Sequence, residues 1–275
     1  SEEGLIIVNV DALQDRDPTN NFLKRELTWN EAGVLTGARN ITLAGAWAII
    51  GTEHEVVILD LDDPLQPQVL AKLPFDHPTA VAVQFRYAFI TDATGFHVVD
   101  ITDVASPREN ARAFVPLVDA RQLYLARPFA YVAGGKQGLV IIDVEKPEKP
   151  AIQQVFDDAG RINDLNDVKI ATTNASLFAY LADGKNGLKV LQLTDPERVP
   201  ELYGFSPRPR PQLVAWKKTD GPALALSKPL DRDRAVDETG HQVSVFGRIG
   251  SRPLNREEME RMFLNRAGDL FTVKP

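Results

Sequence analysis

The chain has 275 residues, of which 44% are hydrophobic and 25% charged, and its 31 basic and 38 acidic side chains leave a formal net charge of −7. These are ordinary globular proportions, and the acidic balance argues against a nucleic-acid binder, whose affinity comes mainly from clustered Lys and Arg. The absence of cysteine excludes disulfides, thiolate metal sites, covalent haem attachment and a Cys nucleophile within this chain, and no apolar run reaches the roughly 18 residues of a membrane-spanning helix.

Ser1-Glu2-Glu3 leads straight into Gly4 and a strand-like run at Leu5–Val10, without the charged, apolar and cleavage regions of a signal peptide. That apolar hexamer recurs at Val56–Leu61, Phe96–Ile101, Leu139–Val144, Leu188–Leu193 and, degraded, His241–Phe246, at intervals of 40 to 53 residues. Gly4, Gly95, Gly138, Gly187 and Gly240 each precede a copy, and Glu55 takes that place in the second. Upstream of the later copies lies another strand-like run: Trp47–Gly51, Tyr87–Thr91, Phe129–Ala133, Phe178–Ala182 and Ala223–Ser227. A further run precedes each of these: Asn40–Ala44, Ala80–Phe85, Gln122–Ala126, Asp167–Thr172 and Leu213–Lys217. Proline-containing turns then lead to a fourth run, such as Gln68–Leu73 or Ala151–Phe156. Each unit therefore reads as four short strands rich in Val, Ile, Phe and Tyr, bounded by Gly, Pro and Asp turns.

The hexamer is apolar on both faces. Leu139 and Ile141 point one way and Val140, Ile142 and Val144 the other, because strand side chains alternate. A sheet with one wet face would alternate polar with apolar residues, whereas a sheet stacked between two others buries both faces, as radial blades do. The expected fold is all-β: a β-propeller of six or seven four-stranded blades over residues 1–253, followed by a helix and strand over 254–275.

LVIIDV after YVAGGKQG, and FAYLADGKNGLKVLQLTDPERVP, resemble the LVIVD repeat of bacterial β-propellers. The resemblance extends over residues 4–253; Asn9 and Gln192 depart from it at the hexamer's usual Asp, and Val245 in the degenerate last copy. It implies a cell-surface, periplasmic or extracellular module, in some chains joined to multihaem c-type cytochrome regions. It implies no catalytic residue set, and haem only on a partner or an upstream segment.

In such a fold, the loops from second to third strand share a face with the connections between blades. Two long connections fall there, Asp157–Asp167 and Lys228–Thr239, and extra loop length on one face is where repeat folds carry function. In the first, Asp157, Asp158, Asn163, Asp164 and Asp167 offer the oxygens that calcium prefers, or else cap turns. In the second, Asp231, Arg232, Asp233 and Arg234 either pair with one another or dock a partner. The repeated Asp60, Asp100 and Asp143 are expected to cap the turns that follow them. The four histidines fall in different blades with no close pair, so a metal cluster is not expected. Beyond Pro253, Asn255 and Glu258 form a capping-box-like arrangement. Met259, Met262 and Phe263 would share one helix face, packed on the propeller or on a neighbouring chain.

The leading functional expectation is a noncatalytic interaction scaffold. The alternatives are a lyase or hydrolase with polar residues in the axial channel (Arg121, Asp167, Lys169 and Lys217 being the exceptions to its apolar lining) or a calcium-dependent adhesion module. Because Leu5–Val10 aligns with third strands, the first blade lacks its first and second strands. The sequence therefore predicts completion by an upstream segment or a separate chain, since native sheets avoid long open edges.

Overall fold

Runs of β-branched and aromatic residues cut by Gly, Pro and Asp form short antiparallel strands, whose apolar faces must be buried by neighbouring sheets. The computed structural model describes residues 2–10, 23–126, 128–173, 176–194 and 208–227, with 244–245, 248–249, 252–253, 257, 264 and 267–268. The first pair is β1 (Leu5–Asn9) and β2 (Lys24–Trp29). Blade II is β3 (Asn40–Ala44), β4 (Trp47–Gly51), β5 (Glu55–Asp60) and β6 (Gln68–Pro74). Blade III is β7 (Ala80–Gln84), β8 (Tyr87–Thr91) and β9 (Gly95–Asp100), with an outer strand split into β10 (Arg108–Glu109) and β11 (Val115–Pro116). Blade IV is β12 (Leu123–Ala126), β13 (Phe129–Ala133), β14 (Leu139–Asp143) and β15 (Ala151–Phe156). Blade V is β16 (Asp167–Thr173), β17 (Ser176–Ala182), β18 (Leu188–Thr194) and β19 (Gln212–Lys217). A small meander follows: β20 (Ser244–Val245), β21 (Arg248–Ile249) and β22 (Arg252–Pro253).

Within each full blade the strands are bonded in chain order, and the first strands β3, β7, β12 and β16 lie side by side. That is a β-propeller with its first strands innermost. The Thr42 hydroxyl donates to the Val81 carbonyl (2.6 Å) and the Gln122 amide to the Thr79 carbonyl (3.2 Å), linking successive blades.

The core lies between blades, as the two-faced hexamer requires. Leu139 and Ile141 pack against Val168, Ile170 and Leu181 of blade V. Val140, Ile142 and Val144 pack against Phe89, Phe96 and Val98 of blade III. Burying such a side chain contributes about 1.5–3 kcal/mol. The hexamer glycine has a physical cause as well. Gly138 has φ +81°, and a Cβ there would lie 2.5 Å from the Phe156 carbonyl oxygen of the fourth strand. Gly187 repeats this against Lys217.

One irregularity recurs in every third–fourth pair. The register shifts between the third and fourth residues of the hexamer at Ile7/Val8, Ile58/Leu59, Ile141/Ile142 and Val190/Leu191. In blade III the same place is enlarged: Glu109 pairs with Val99 and Val115 with Phe96, with residues 110–114 looped out. The shared bulge marks β1 and β2 as the third and fourth strands of a blade.

The structure corrects two strand assignments. Leu213–Lys217, expected to open a sixth blade, instead pairs with β18 as the outer strand of blade V. Ala223–Ser227 is not a second strand. Ala223 bridges Gly184 as Leu165 bridges Gly135, which places it in the equivalent of an interblade connection. The long segment 195–211 hid this from sequence spacing. Asp60, Asp100 and Asp143 do cap turns, accepting the backbone N–H of Asp62 (2.9 Å), Thr102 (2.8 Å) and Glu145 (2.9 Å). No helix among the described residues is long and apolar enough to cross a membrane.

Candidate functional site

The second-to-third loops and the interblade connections meet on one face through backbone hydrogen bonds. Gly135 and Leu165 exchange two (3.2 and 3.0 Å), Gly184 and Ala223 two more (2.9 Å each), and the His77 N–H reaches the Glu53 carbonyl (3.1 Å). On this face the Arg121 guanidinium forks onto Asp119, with Nε and Nη2 each 2.9 Å from a carboxylate oxygen. Its Nη1 reaches Asn166 Oδ1 (2.7 Å) and Asp164 Oδ1 (3.4 Å) in the connection that leads into blade V. The hydrogen bonds to Asp119 push the Arg121 pKa up, against the opposing effect of desolvation. The Thr79 and Thr91 hydroxyls donate to the Arg121 carbonyl (3.1 and 2.7 Å), tying blade III to the same residue.

Behind this lies a buried ion pair. Asp183 is fully buried and binds Lys189, whose side chain is 4% exposed. The Asp183 carboxylate also accepts the Asp164 N–H (2.8 Å) and the Asn186 amide (3.0 Å). Lys189 donates in addition to the Arg161 carbonyl. Blade III holds a counterpart: His97, two residues past its hexamer glycine as Lys189 is past Gly187, sits 3.0 Å from Asp92 Oδ1 and 2.8 Å from Glu109 Oε1. Phe75 and Phe114 flank its ring at 5.2 and 4.8 Å. Burial raises the Asp92 pKa, but hydrogen bonds from the Thr94 hydroxyl and N–H and from His97 outweigh it and hold the carboxyl below its ordinary value. These turn-Asp and cation pairs escaped sequence reasoning. Their signal was the parallel between TDATGFH and ADGKNGLK, an Asp in the turn and a basic residue two past the glycine.

The five oxygen-bearing candidates of the first long loop are directed to separate partners. Asp158 binds Arg161 (2.7 Å). Asp164 binds Arg121 and accepts the Lys185 N–H (3.2 Å). Asp167 accepts from Lys169 (2.6 Å), the Val168 N–H (2.8 Å) and the Leu226 N–H (2.8 Å). Asn163 accepts the Asn186 amide (3.0 Å), and Asp157 receives the Ile162 N–H on its backbone carbonyl (2.8 Å). Among the described residues, no three His, Asp or Glu side chains are grouped to hold a metal ion. The histidines do include a close pair, contrary to expectation: His54 and His77, from different loops of this face, meet edge to face at 5.5 Å. Lys217, expected on a first strand, stands on the outer strand of blade V. Asp231, Arg232, Asp233, Arg234, Met259, Met262 and Phe263 lie outside the described residues, as do Leu270–Val273 and most of the sixth hexamer.

The LVIVD repeat family profile matches residues 78–113 and 119–158, which are blade III and blade IV with the adjoining connections. Among solved structures, one protein from Lactobacillus plantarum superposes with a TM-score of 0.61 at 12% identity, covering 81% of this chain and 67% of that one. Apo AztD from Citrobacter koseri gives a TM-score of 0.40 at 18% identity, over 68% and 48%. Kluyveromyces lactis Hsv2p gives 0.37 at 13%, over 58% and 48%. This chain thus spans about two thirds of the first and under half of the other two. No curated protein matches it by sequence.

Proposed function

We propose that this LVIVD-repeat β-propeller is a noncatalytic protein-interaction module of a larger extracellular or cell-envelope assembly. Its contact surface is the face formed by the second-to-third and interblade loops. The observation that carries the reading is the mutual engagement of the charges there. Arg121 is held by Asp119, Asp164 and Asn166, Lys169 by Asp167, and Lys189 by Asp183. A general acid or base works best when its pKa is poised near the working pH. The shifts at this face run the other way, with Arg121 raised and Asp92 lowered. Cross-linked loops of this kind make a rigid platform, with Lys136 and Lys185 exposed at equivalent places on it.

The setting, and a multihaem cytochrome as partner, rest on the family resemblance. The test is lysine cross-linking of the native material followed by mass spectrometry and an absorption spectrum. Interprotein links concentrated at Lys136 and Lys185 are expected, with a haem band if the partner is a cytochrome. A protein that is isolated alone and forms no interprotein links overturns the reading.

A further inference from the structure

Unlike the third strands of blades II to V, β1 has a single neighbour among the described residues. β5, β9, β14 and β18 each lie between a second and a fourth strand, whereas β1 is bonded only to β2. Ile6 and Val8, 37% and 36% exposed, stand on the face that blade III covers in blade IV, where Val140 and Ile142 are fully buried. Beside β1 opens a cleft of about 310 Å³, lined by Leu5, Ile6, Leu35, Asn40, Ile41 and Ile50 among others. The Asn40 side-chain oxygen is buried without a hydrogen-bond partner. An apolar cleft, an open strand edge and an orphaned acceptor together make a site for a β-strand, whose own N–H groups supply the missing donors.

The other blades specify what that strand must be. In all four, the residue paired with the fourth position of the hexamer is alanine: Ala48, Ala88, Ala130 and Ala179. The residue paired with the fifth position is aromatic (Trp47, Tyr87, Phe129, Phe178), that with the third is large (Ile, Phe, Tyr, Tyr), that with the second is Ile, Val or Leu, and that with the first is small (Gly, Thr, Ala, Ala). Applied to β1, this places Ala opposite Val8, a large residue opposite Ile7 toward blade II, an aliphatic one opposite Ile6 and a small one opposite Leu5. Gly4 already has the backbone that ends such a hairpin. Its φ is +79°, and a Cβ there would meet the Trp29 carbonyl oxygen at 2.5 Å, as at Gly138 with Phe156.

We propose that the inner edge of β1 and the adjoining cleft bind an antiparallel strand of the repeat's second-strand type, aromatic-Ala-large-aliphatic-small, delivered by the preceding polypeptide through a turn that closes at Gly4. The inference deepens the assembly reading above and rests on it. The test joins the chain's own second strand, the sequence of Phe129–Gly134, directly before Ser1. This leaves five residues between its second alanine and Leu5, as between Ala133 and Leu139. A control graft exchanges alternate residues (Ala-Phe-Val-Tyr-Gly-Ala), which turns the large side chains to the wrong face.

The matched graft is expected to raise the melting temperature by about 5 °C and to slow amide hydrogen exchange across Leu5–Asn9; the control does neither. Unchanged exchange with the matched graft, or equal effects from the control, overturns the proposal. So does an ungrafted chain whose β1 amides are protected in a dimer that Val8→Lys dissociates, because the occupant is then a second copy. Failure of the graft leaves the cross-linking result untouched, so the two readings fail separately.

Discussion

Replacing Asp183 by alanine tests whether the buried ion pair holds the loop face together. Asp183 is fully buried and its partner Lys189 nearly so. Truncating the carboxylate strands the ammonium in a low-dielectric site and removes the acceptor of the Asp164 N–H. Breaking a buried pair from one side typically costs about 3–5 kcal/mol, because the remaining charge is uncompensated. For a chain of this size that corresponds to a fall in melting temperature of roughly 10 °C. Urea unfolding followed by circular dichroism measures the loss. The double variant Asp183→Ala/Lys189→Met removes the stranded charge while keeping an unbranched side chain. It should regain much of the loss, although the Arg161 carbonyl also loses its donor. An Asp183→Ala protein within about 1 kcal/mol of the parent would refute the reasoning. A double variant no more stable than the single one would refute it equally, because the cost would then not arise from the stranded charge.

Other outcomes follow from the same physics. Tyr131→Phe should stabilise by about 1–2 kcal/mol in the same urea assay, because the buried hydroxyl has no partner and its desolvation is uncompensated; a destabilised variant would mean the hydroxyl is paired in solution. Gly138→Ala should destabilise by more than about 1 kcal/mol, since it meets both a positive φ and the Phe156 carbonyl, and a neutral thermal melt would contradict this. Asp92 is held below its ordinary pKa of 3.8, so its contribution is present above that pH and lost as pH falls through the lowered value. The melting-temperature gap between the parent and Asp92→Asn should therefore persist at neutral pH and close only below about pH 4; a gap that is constant with pH removes the ionic explanation. Millimolar calcium should leave the melting temperature within about 1 °C, because Asp158, Asp164 and Asp167 already have cationic or N–H partners; a clear rise would assign a site to that loop.

The fold was legible in the sequence because its determinants are local. An apolar hexamer with both faces buried, an Asp that caps its own turn and a glycine before each copy are short-range requirements, and Leu139, Val140, Asp143 and Gly138 meet them as their spacing predicts. Strand position within a blade was less legible. Leu213–Lys217 has the composition of a first strand and serves as a fourth, since both are β-rich runs between turns and only the partner strand distinguishes them. The sequence put the second-to-third loops and the interblade connections on one face, where they do meet, but not the side-chain pairings that join them. Arg121 with Asp164, Asp183 with the Asp164 N–H, and His54 with His77 join residues of different loops. Such pairings depend on how neighbouring blades bring their turns together, which no spacing within one repeat encodes. The open edge of β1 lies between these cases. The sequence aligned Leu5–Val10 with third strands, because the hexamer recurs. Only the tertiary structure showed the cleft, the orphaned Asn40 oxygen and the turn geometry at Gly4, because a vacancy is defined by the side chains packed around it.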